Sequence, residues 1–388
     1  MYLVCLSRSS TRGIVLYMNT IIEFIRGISD GGAETLVKDY ALLLERDLFQ
    51  VKIVVLFQRH NCANSRILKE NNIEVIEIYK NWNALTRCFN KICGWWYVPY
   101  RMKKIVHTFE PVAIHSHMTV LKYLKPISHA LQGTRLFYTC HSLPERYIGK
   151  EQPEERKAAQ YLLKKNKLRM IALHNEMAQE INAMFDIEDT VVIHNGIDFK
   201  RFQNVNESKE DIRKTLNMPN NAYLIGHVGR FHPLKNHPFI IEVFCKVIEK
   251  NENARLLLVG AGEELDNINE LIKVKGLSEK VTILSNRTDV PRLMKAMDVF
   301  VFPSIAEGLG IVLIEAQICG LRCVVSTAVP EAAYVTELVI PMNLNDSVEN
   351  WCNAILDESK KGSYSGRIDD YDMNKEIRKL EKLYLGKE

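Results

Sequence analysis

The sequence predicts an α/β protein of two facing Rossmann-like domains with an interdomain cleft, and three observations carry that expectation. Short apolar, β-branched runs alternate with helix-like stretches from Met18 onward, the pattern of parallel strands covered by helices on both faces. Twelve such runs can be read, too many for one ordinary doubly wound sheet. The hydrophilic segment 204–221, NVNESKEDIRKTLNMPNN, splits them into roughly equal halves. Expected strands are 20–25, 51–56, 73–78, 112–115, 136–139, 170–173 and 191–194, then 224–228, 255–259, 281–284, 299–302 and 323–326. The expected division is an acceptor-side domain over 18–203, a second domain over 204–365, and a last helix in 366–388 crossing back to the first.

Composition narrows the function classes. The chain has 388 residues, 47% of them hydrophobic and 25% charged, with a net charge of +4, as in a soluble globular protein. That balance lacks the dense basic stripes of a nucleic-acid binder. Nine scattered cysteines point to a reducing compartment, without disulfides or a zinc site. No apolar run reaches the ~20 residues of a membrane span. Residues 1–17 make a poor export signal, because Arg8 and Arg12 interrupt the apolar stretch. They are expected to be a non-native or disordered extension, and the location cytoplasmic.

In parallel α/β sheets, ligands gather beyond the C-terminal strand ends, so the motifs there matter most. After the first strand, GISDGGA places Gly31 and Gly32 at a helix start, where backbone can approach a ligand. Residues 80–104, KNWNALTRCFNKICGWWYVPYRMKK, hold six basic and no acidic residues among aromatics, a composition suited to an anionic membrane surface. His115-Ser116-His117 ends the fourth strand and His141 follows the fifth. Asn195-Gly196 makes a turn and Asp198 stands before a short helix, which reads as a hinge. Arg230 and Lys235 share a strand-end loop, cations suited to a diphosphate. Gly260-Ala261-Gly262 lacks the third glycine of a dinucleotide fingerprint. Asn286 and Arg287 are placed to contact a nucleotide base.

The most informative stretch is 298–326, a strand–loop–helix–strand unit. Glu307-Gly308-Leu309-Gly310 opens its helix, and Glu315 lies one to two turns in. Free amides at such a terminus hold an anion, and a carboxylate beyond it suits hydroxyls. Phosphate plus diol means a nucleotide or nucleotide sugar.

In this order the motifs resemble the retaining glycosyltransferases of family four, of the two-domain GT-B type. Gly31-Gly32-Ala33-Glu34, His117, Asn195-Gly196-Ile197-Asp198, Arg230, Lys235 and the Glu307 to Glu315 spacing all match. Leu309 stands where the family usually has an aromatic, and a glycine pair usual after Pro330 is missing. The resemblance implies transfer from a nucleotide-sugar donor, a UDP-sugar, to a lipid-linked saccharide acceptor with retention. Stretch 307–342 is most similar to enzymes of bacterial capsule and exopolysaccharide synthesis, which implies peripheral attachment at the inner face of the plasma membrane. It implies catalytic roles for Arg230, Lys235, Glu307 and His117. Donor contacts would come from Gly31, Gly32, Asn286, Arg287, Gly308, Leu309, Gly310 and Glu315. No cofactor is implied, since the nucleotide sugar is a substrate, and no metal, since no credible Asp-x-Asp cation site stands out. The rival readings are a nucleotide-sugar epimerase of the same fold and a non-catalytic partner of a transferase.

Overall fold

The computed structural model describes residues 18–29, 31–58, 62–219, 221–359 and 368–387; the expectation for 1–17 and the 365/366 boundary lie outside them. Two parallel sheets form. The first takes β1 (Asn19–Ile28), β2 (Phe49–Gln58), β3 (Glu74–Glu77), β4 (Ala113–His117), β5 (Arg135–Thr139), β6 (Arg169–Ala172) and β7 (Val191–Val192) in the order β3-β2-β1-β4-β5-β6-β7. The second takes β8 (Tyr223–Val228), β9 (Ala254–Val259), β10 (Val281–Leu284), β11 (Val299–Phe302), β12 (Arg322–Ser326) and β13 (Val339–Met342) in the order β10-β9-β8-β11-β12-β13. Each order reverses beside its first strand, at β1/β4 and at β8/β11, the switch points where such sheets bind ligands. This is the two-domain GT-B architecture.

The strands form where buried runs are flanked by breakers. Val299–Phe302 is wholly buried and stops at Pro303; a buried strand of this kind needs apolar residues on both faces. Strand β13 has no counterpart among the expected runs. It is an edge strand of four residues, VIPM, in which Pro341 is tolerated because one side carries no ladder partner.

Two crossings join the halves side by side. Ile197 donates its N–H to the Tyr371 carbonyl at 2.7 Å and accepts from Met373 N–H. Beyond this point the helix Met373–Leu385 buries Ile377, Leu380, Leu383 and Tyr384 in a cluster with Ile21, Phe137 and Ile193 of the first sheet. The helix Met373–Leu385 is therefore part of the core beneath the first strand. A larger apolar cluster joins Phe24 and Tyr138 of the first half to Phe302 and Leu309 of the second.

Leu380→Ala should lower unfolding free energy by about 2–5 kcal/mol, the range for a fully buried leucine. Urea unfolding monitored by tryptophan fluorescence measures it. A loss under about 0.5 kcal/mol, the level of a surface site, would place the helix outside the core.

Candidate active site

The site is assembled from strand ends. Beyond β11 the chain turns through Glu307 to Gly310 into the helix Ile311–Ile318. Gly310 has φ +81°, a left-handed conformation that glycine adopts without strain. The first turn of the helix leaves its opening amides without intrahelical partners. Beside them Gly308 lies flat against the first half: a Cβ there would stand 2.6 Å from the His141 carbonyl oxygen and 2.7 Å from Ser142 Cα. Leu309 is 2% exposed and packs in the apolar core, so it offers a ligand no side-chain contact.

Charged groups ring this turn. Lys235 Nζ donates to Glu307 Oε1 at 2.5 Å, both side chains being largely buried. The same ammonium is 4.9 Å from the Phe302 ring centre, a cation–π distance. Arg230 is exposed on the same strand-end loop and donates to Glu263 Oε2 at 2.9 Å. That loop is braced by the Gly260–Gly262 turn, since Phe231 N–H donates to Ala261 O and accepts Glu264 N–H through its own carbonyl. Glu315 is partly exposed, and the protein around it pushes its carboxyl up to about 7; Arg201 pulls the other way and Asp39 adds to the rise. Asp39 and Glu315 come from opposite halves, so these charges meet across the cleft. Asn286 is exposed with φ +55°. Arg287 is held by Asp289 through two hydrogen bonds of 2.7 and 2.6 Å.

From the first half, Gly31 caps the helix Gly32–Leu43. A Cβ on Gly31 would meet the Glu34 carboxylate at 2.4 Å, whereas Gly32 faces open space. The histidines differ from expectation. His117 is fully buried, so it does not itself reach a donor sugar. Its Nδ1 lies 2.8 Å from His141 Nε2, and His141 is the residue of the two that is partly exposed. On its other side His117 Nε2 lies 2.6 Å from Glu23 Oε2. Tyr384 Oη donates to Glu23 Oε1 at 2.8 Å and lies 2.6 Å from His115 Nδ1, whose Nε2 is 2.7 Å from Thr139 Oγ1. Glu23, His115 and His117 bring ligand-type atoms within 4.8 Å of one another. Each of these atoms is already spent in a short hydrogen bond, which describes a proton-sharing network. Metal coordination would break it.

A further residue joins the halves. His174 caps the helix Asn175–Phe185, its Nδ1 lying 2.8 Å from Glu176 Oε2 and 3.3 Å from Met177 N, and its Nε2 lies 3.0 Å from the Gly308 carbonyl. A carbonyl only accepts, so Nε2 carries the proton and donates.

Comparison with known proteins places this arrangement. A model of Glycosyltransferase Family 4 matches residues 30–201, and one of Glycosyl transferases group 1 matches residues 208–349, most of the chain between them. The chain belongs to the GT-B glycosyltransferases. The putative glycosyltransferase EpsF of Bacillus subtilis is 31% identical over 172 residues, 44% of this chain and 45% of that protein. The UDP-Gal:alpha-D-GlcNAc-diphosphoundecaprenol alpha-1,3-galactosyltransferase of Escherichia coli is 29% identical over 231 residues, 56% of this chain and 60% of that protein. The chain thus spans about half the length of the curated relatives it matches. HepE of Anabaena, solved with UDP and glucose, aligns with a TM-score of 0.73 at 22% identity, over 94% of this chain and 98% of that one. WaaG, a glycosyltransferase involved in lipopolysaccharide biosynthesis, gives 0.70 at 16%, over 94% and 100%. Identities this low speak for the fold alone.

Within this glycosyltransferase chain, sequence reasoning missed Glu23, His174 and Tyr384, which the structure brings beside the candidate site. Glu23 had a signal: a carboxylate inside the apolar run TIIEFI is costly to bury without a task. His174 had none, because a residue before a helix reads as an ordinary cap.

Proposed function

We propose that this chain moves a sugar, with retention of anomeric configuration, from a UDP-sugar to a lipid-linked saccharide acceptor in capsule or exopolysaccharide synthesis. The observation that carries the reading is the Lys235–Glu307 pair at 2.5 Å beside the helix start at Gly310, set against His141 of the other half. A diphosphate seated there meets Lys235, Arg230 and the opening amides, which stabilise the charge that builds as it departs. It competes with Glu263 for the exposed Arg230 guanidinium. Glu307 then accepts from sugar hydroxyls and favours positive charge at the anomeric carbon, and Glu315 accepts from the ribose. The donor class is supported by the Escherichia coli relative, named for UDP-Gal and a diphosphoundecaprenol-linked acceptor, and by the UDP and glucose held by HepE. Retention is supported by the family resemblance.

The acceptor side is supported by the helix Ala84–Phe109. Asn83 and Thr86 cap it reciprocally. Its basic and aromatic residues divide between two faces. Val98, Met102 and Ile105 are buried, Tyr97 and Trp82 pack on the core, and Arg101 Nη1 turns in to Tyr97 Oη at 3.1 Å. Leu85, Phe89, Ile92, Trp96 and Tyr100 recur at helical spacing and are exposed, as is Trp95 at 73%. Arg87, Lys91, Lys103 and Lys104 are exposed beside them. Aromatics with flanking cations suit the interface of an anionic bilayer, each cation contributing ~1 kcal/mol. Among the described residues no helix is long and apolar enough to cross a membrane. The protein attaches peripherally, on the cytoplasmic face where lipid-linked acceptors are built.

Arg230→Ala and Lys235→Ala should each cut kcat by ~10²-fold or more, as for loss of a preorganised charge donor; unchanged kcat/KM in either would remove the diphosphate assignment. Transfer should proceed without a metal, and so survive excess EDTA. Loss with EDTA and recovery with Mn²⁺ would contradict this. On liposomes containing anionic lipid, a Lys91→Glu/Lys103→Glu/Lys104→Glu variant should sediment less than wild type. Equal sedimentation, or binding indifferent to anionic lipid, would make the helix a packed element with a solvated face.

A further inference from the structure

Glu23 lies mid-strand in β1, one of the central strands of the first sheet, with no exposed surface. Its surroundings are polar on the side of β4 and the last helix. His115 and His117 face it from β4, Tyr384 from the helix Met373–Leu385, and Tyr40 from the helix Gly32–Leu43 feels its charge. Behind Tyr40 stand Glu376 and Asp39. His141 lies beyond His117, at the cleft.

With Glu23 Oε1 accepting from Tyr384, the other proton positions in this network follow one at a time. Tyr384 donates its only proton to Glu23 Oε1. The contact between Tyr384 Oη and His115 Nδ1 then needs an N–H from the imidazole, and His115 Nε2 accepts from Thr139 Oγ1. With Oε1 accepting, a protonated Glu23 carries its hydrogen on Oε2, which faces His117 Nε2 at 2.6 Å. His117 must then be protonated on Nδ1 and donate to His141 Nε2 at 2.8 Å. His141 is left with its proton on Nδ1, which is not among the buried polar atoms lacking a partner. An ionised Glu23 reverses the last steps. His117 Nε2–H donates to the carboxylate, His141 Nε2–H donates to His117, and His141 Nδ1 becomes a bare lone pair.

We propose that Glu23 is a positioning residue for the transfer reaction: its carboxyl hydrogen, bonded to His117 Nε2, fixes both imidazole tautomers so that His141 offers Nδ1–H to the cleft. His141 itself lies beside the loop proposed to receive the donor, since Gly308 rests on its carbonyl. Its Nδ1–H suits an oxygen of the bound sugar or its phosphate, which only accepts. This inference rests on the transferase reading above. The protonated state persists through neutral pH because burial pushes the Glu23 carboxyl up to about 8, against the smaller pull of the Tyr384 hydrogen bond. Burial also holds His117 down to about 3, so it stays neutral and the network carries no charge.

The test compares wild type with Glu23→Gln. The glutamine amide reproduces the protonated acid, its carbonyl accepting from Tyr384 and its NH₂ donating to His117. Wild-type kcat/KM should fall about tenfold per pH unit above pH ~8, as for one essential protonated group. Glu23→Gln should stay within a few-fold of wild type at pH 7 and lose that falling limb. A folded but inactive Glu23→Gln, or superimposable pH profiles, would overturn the proposal. Long-range ¹H–¹⁵N correlation spectra of the imidazoles test it without any turnover. They should show His141 protonated on Nδ1 at pH 7 in both proteins, and on Nε2 at pH 9.5 in wild type alone. Nε2 protonation at pH 7 would overturn the proposal even in an active enzyme. The expected tautomers in a protein that transfers no sugar would instead sink the transferase reading and leave the tautomer assignment standing.

Discussion

The cleft depends on how closely Gly308 approaches the end of β5. No side chain fits between them, since a Cβ would lie within 2.7 Å of two backbone atoms, a separation that repulsion forbids. Because the approach is backbone to backbone, the helix opening at Gly310 and the histidines of the first half share one small volume. His174 adds a directional bond across the same gap, donating to the carbonyl of the glycine that permits the approach. A single hydrogen bond contributes on the order of 1 kcal/mol net. Such a contact can be made and broken as substrates enter, unlike the apolar cluster beneath it.

The two sides of the gap solve the problem of polar groups near a core differently. On the second half, cations and carboxylates sit in pairs: Lys235 with Glu307, largely buried, and Arg230 with Glu263, exposed. The exposed Arg230–Glu263 pair costs little to part, so its guanidinium is free to change partner under the proposed function. On the first half, Glu23, His115, His117 and Tyr384 have no exposed surface, and neutrality is the cheap state there. Burial raises the acid and lowers the imidazoles. One side is thus suited to binding charge and the other to fixing where single protons stand.

Much of this was legible in the sequence, for reasons that can be named. Parallel strands buried on both faces advertise themselves as apolar runs, so β11 is visible in VFVF and β12 in RCVVS. The loop at 307–310 is visible because glycine and glutamate are unusual between such runs. What stayed hidden was set by long-range packing. The inward turn of Arg101 and outward turn of Trp95 depend on which helix face meets the sheet, and the composition of 80–104 is the same either way. The burial of His117 behind His141 follows from pairing β4 with β5 in register, Ser116 with Tyr138 and His117 with Thr139. No local pattern encodes that.

The position of Tyr384 shows how far such dependence reaches. It comes from the last helix, yet it settles which oxygen of Glu23, on the first strand, can carry a hydrogen. The segment that brings the helix there runs beside the other interdomain crossing, bonded to it at Ile197. A swing of the second half about these crossings would load the backbone that holds Tyr384. The apolar anchors Ile377, Leu380 and Leu383 resist that load because they belong to the core of the first half. A swing about the short crossings would therefore leave the proton network beneath His141 in place, because Tyr384 is anchored in the core of the first half.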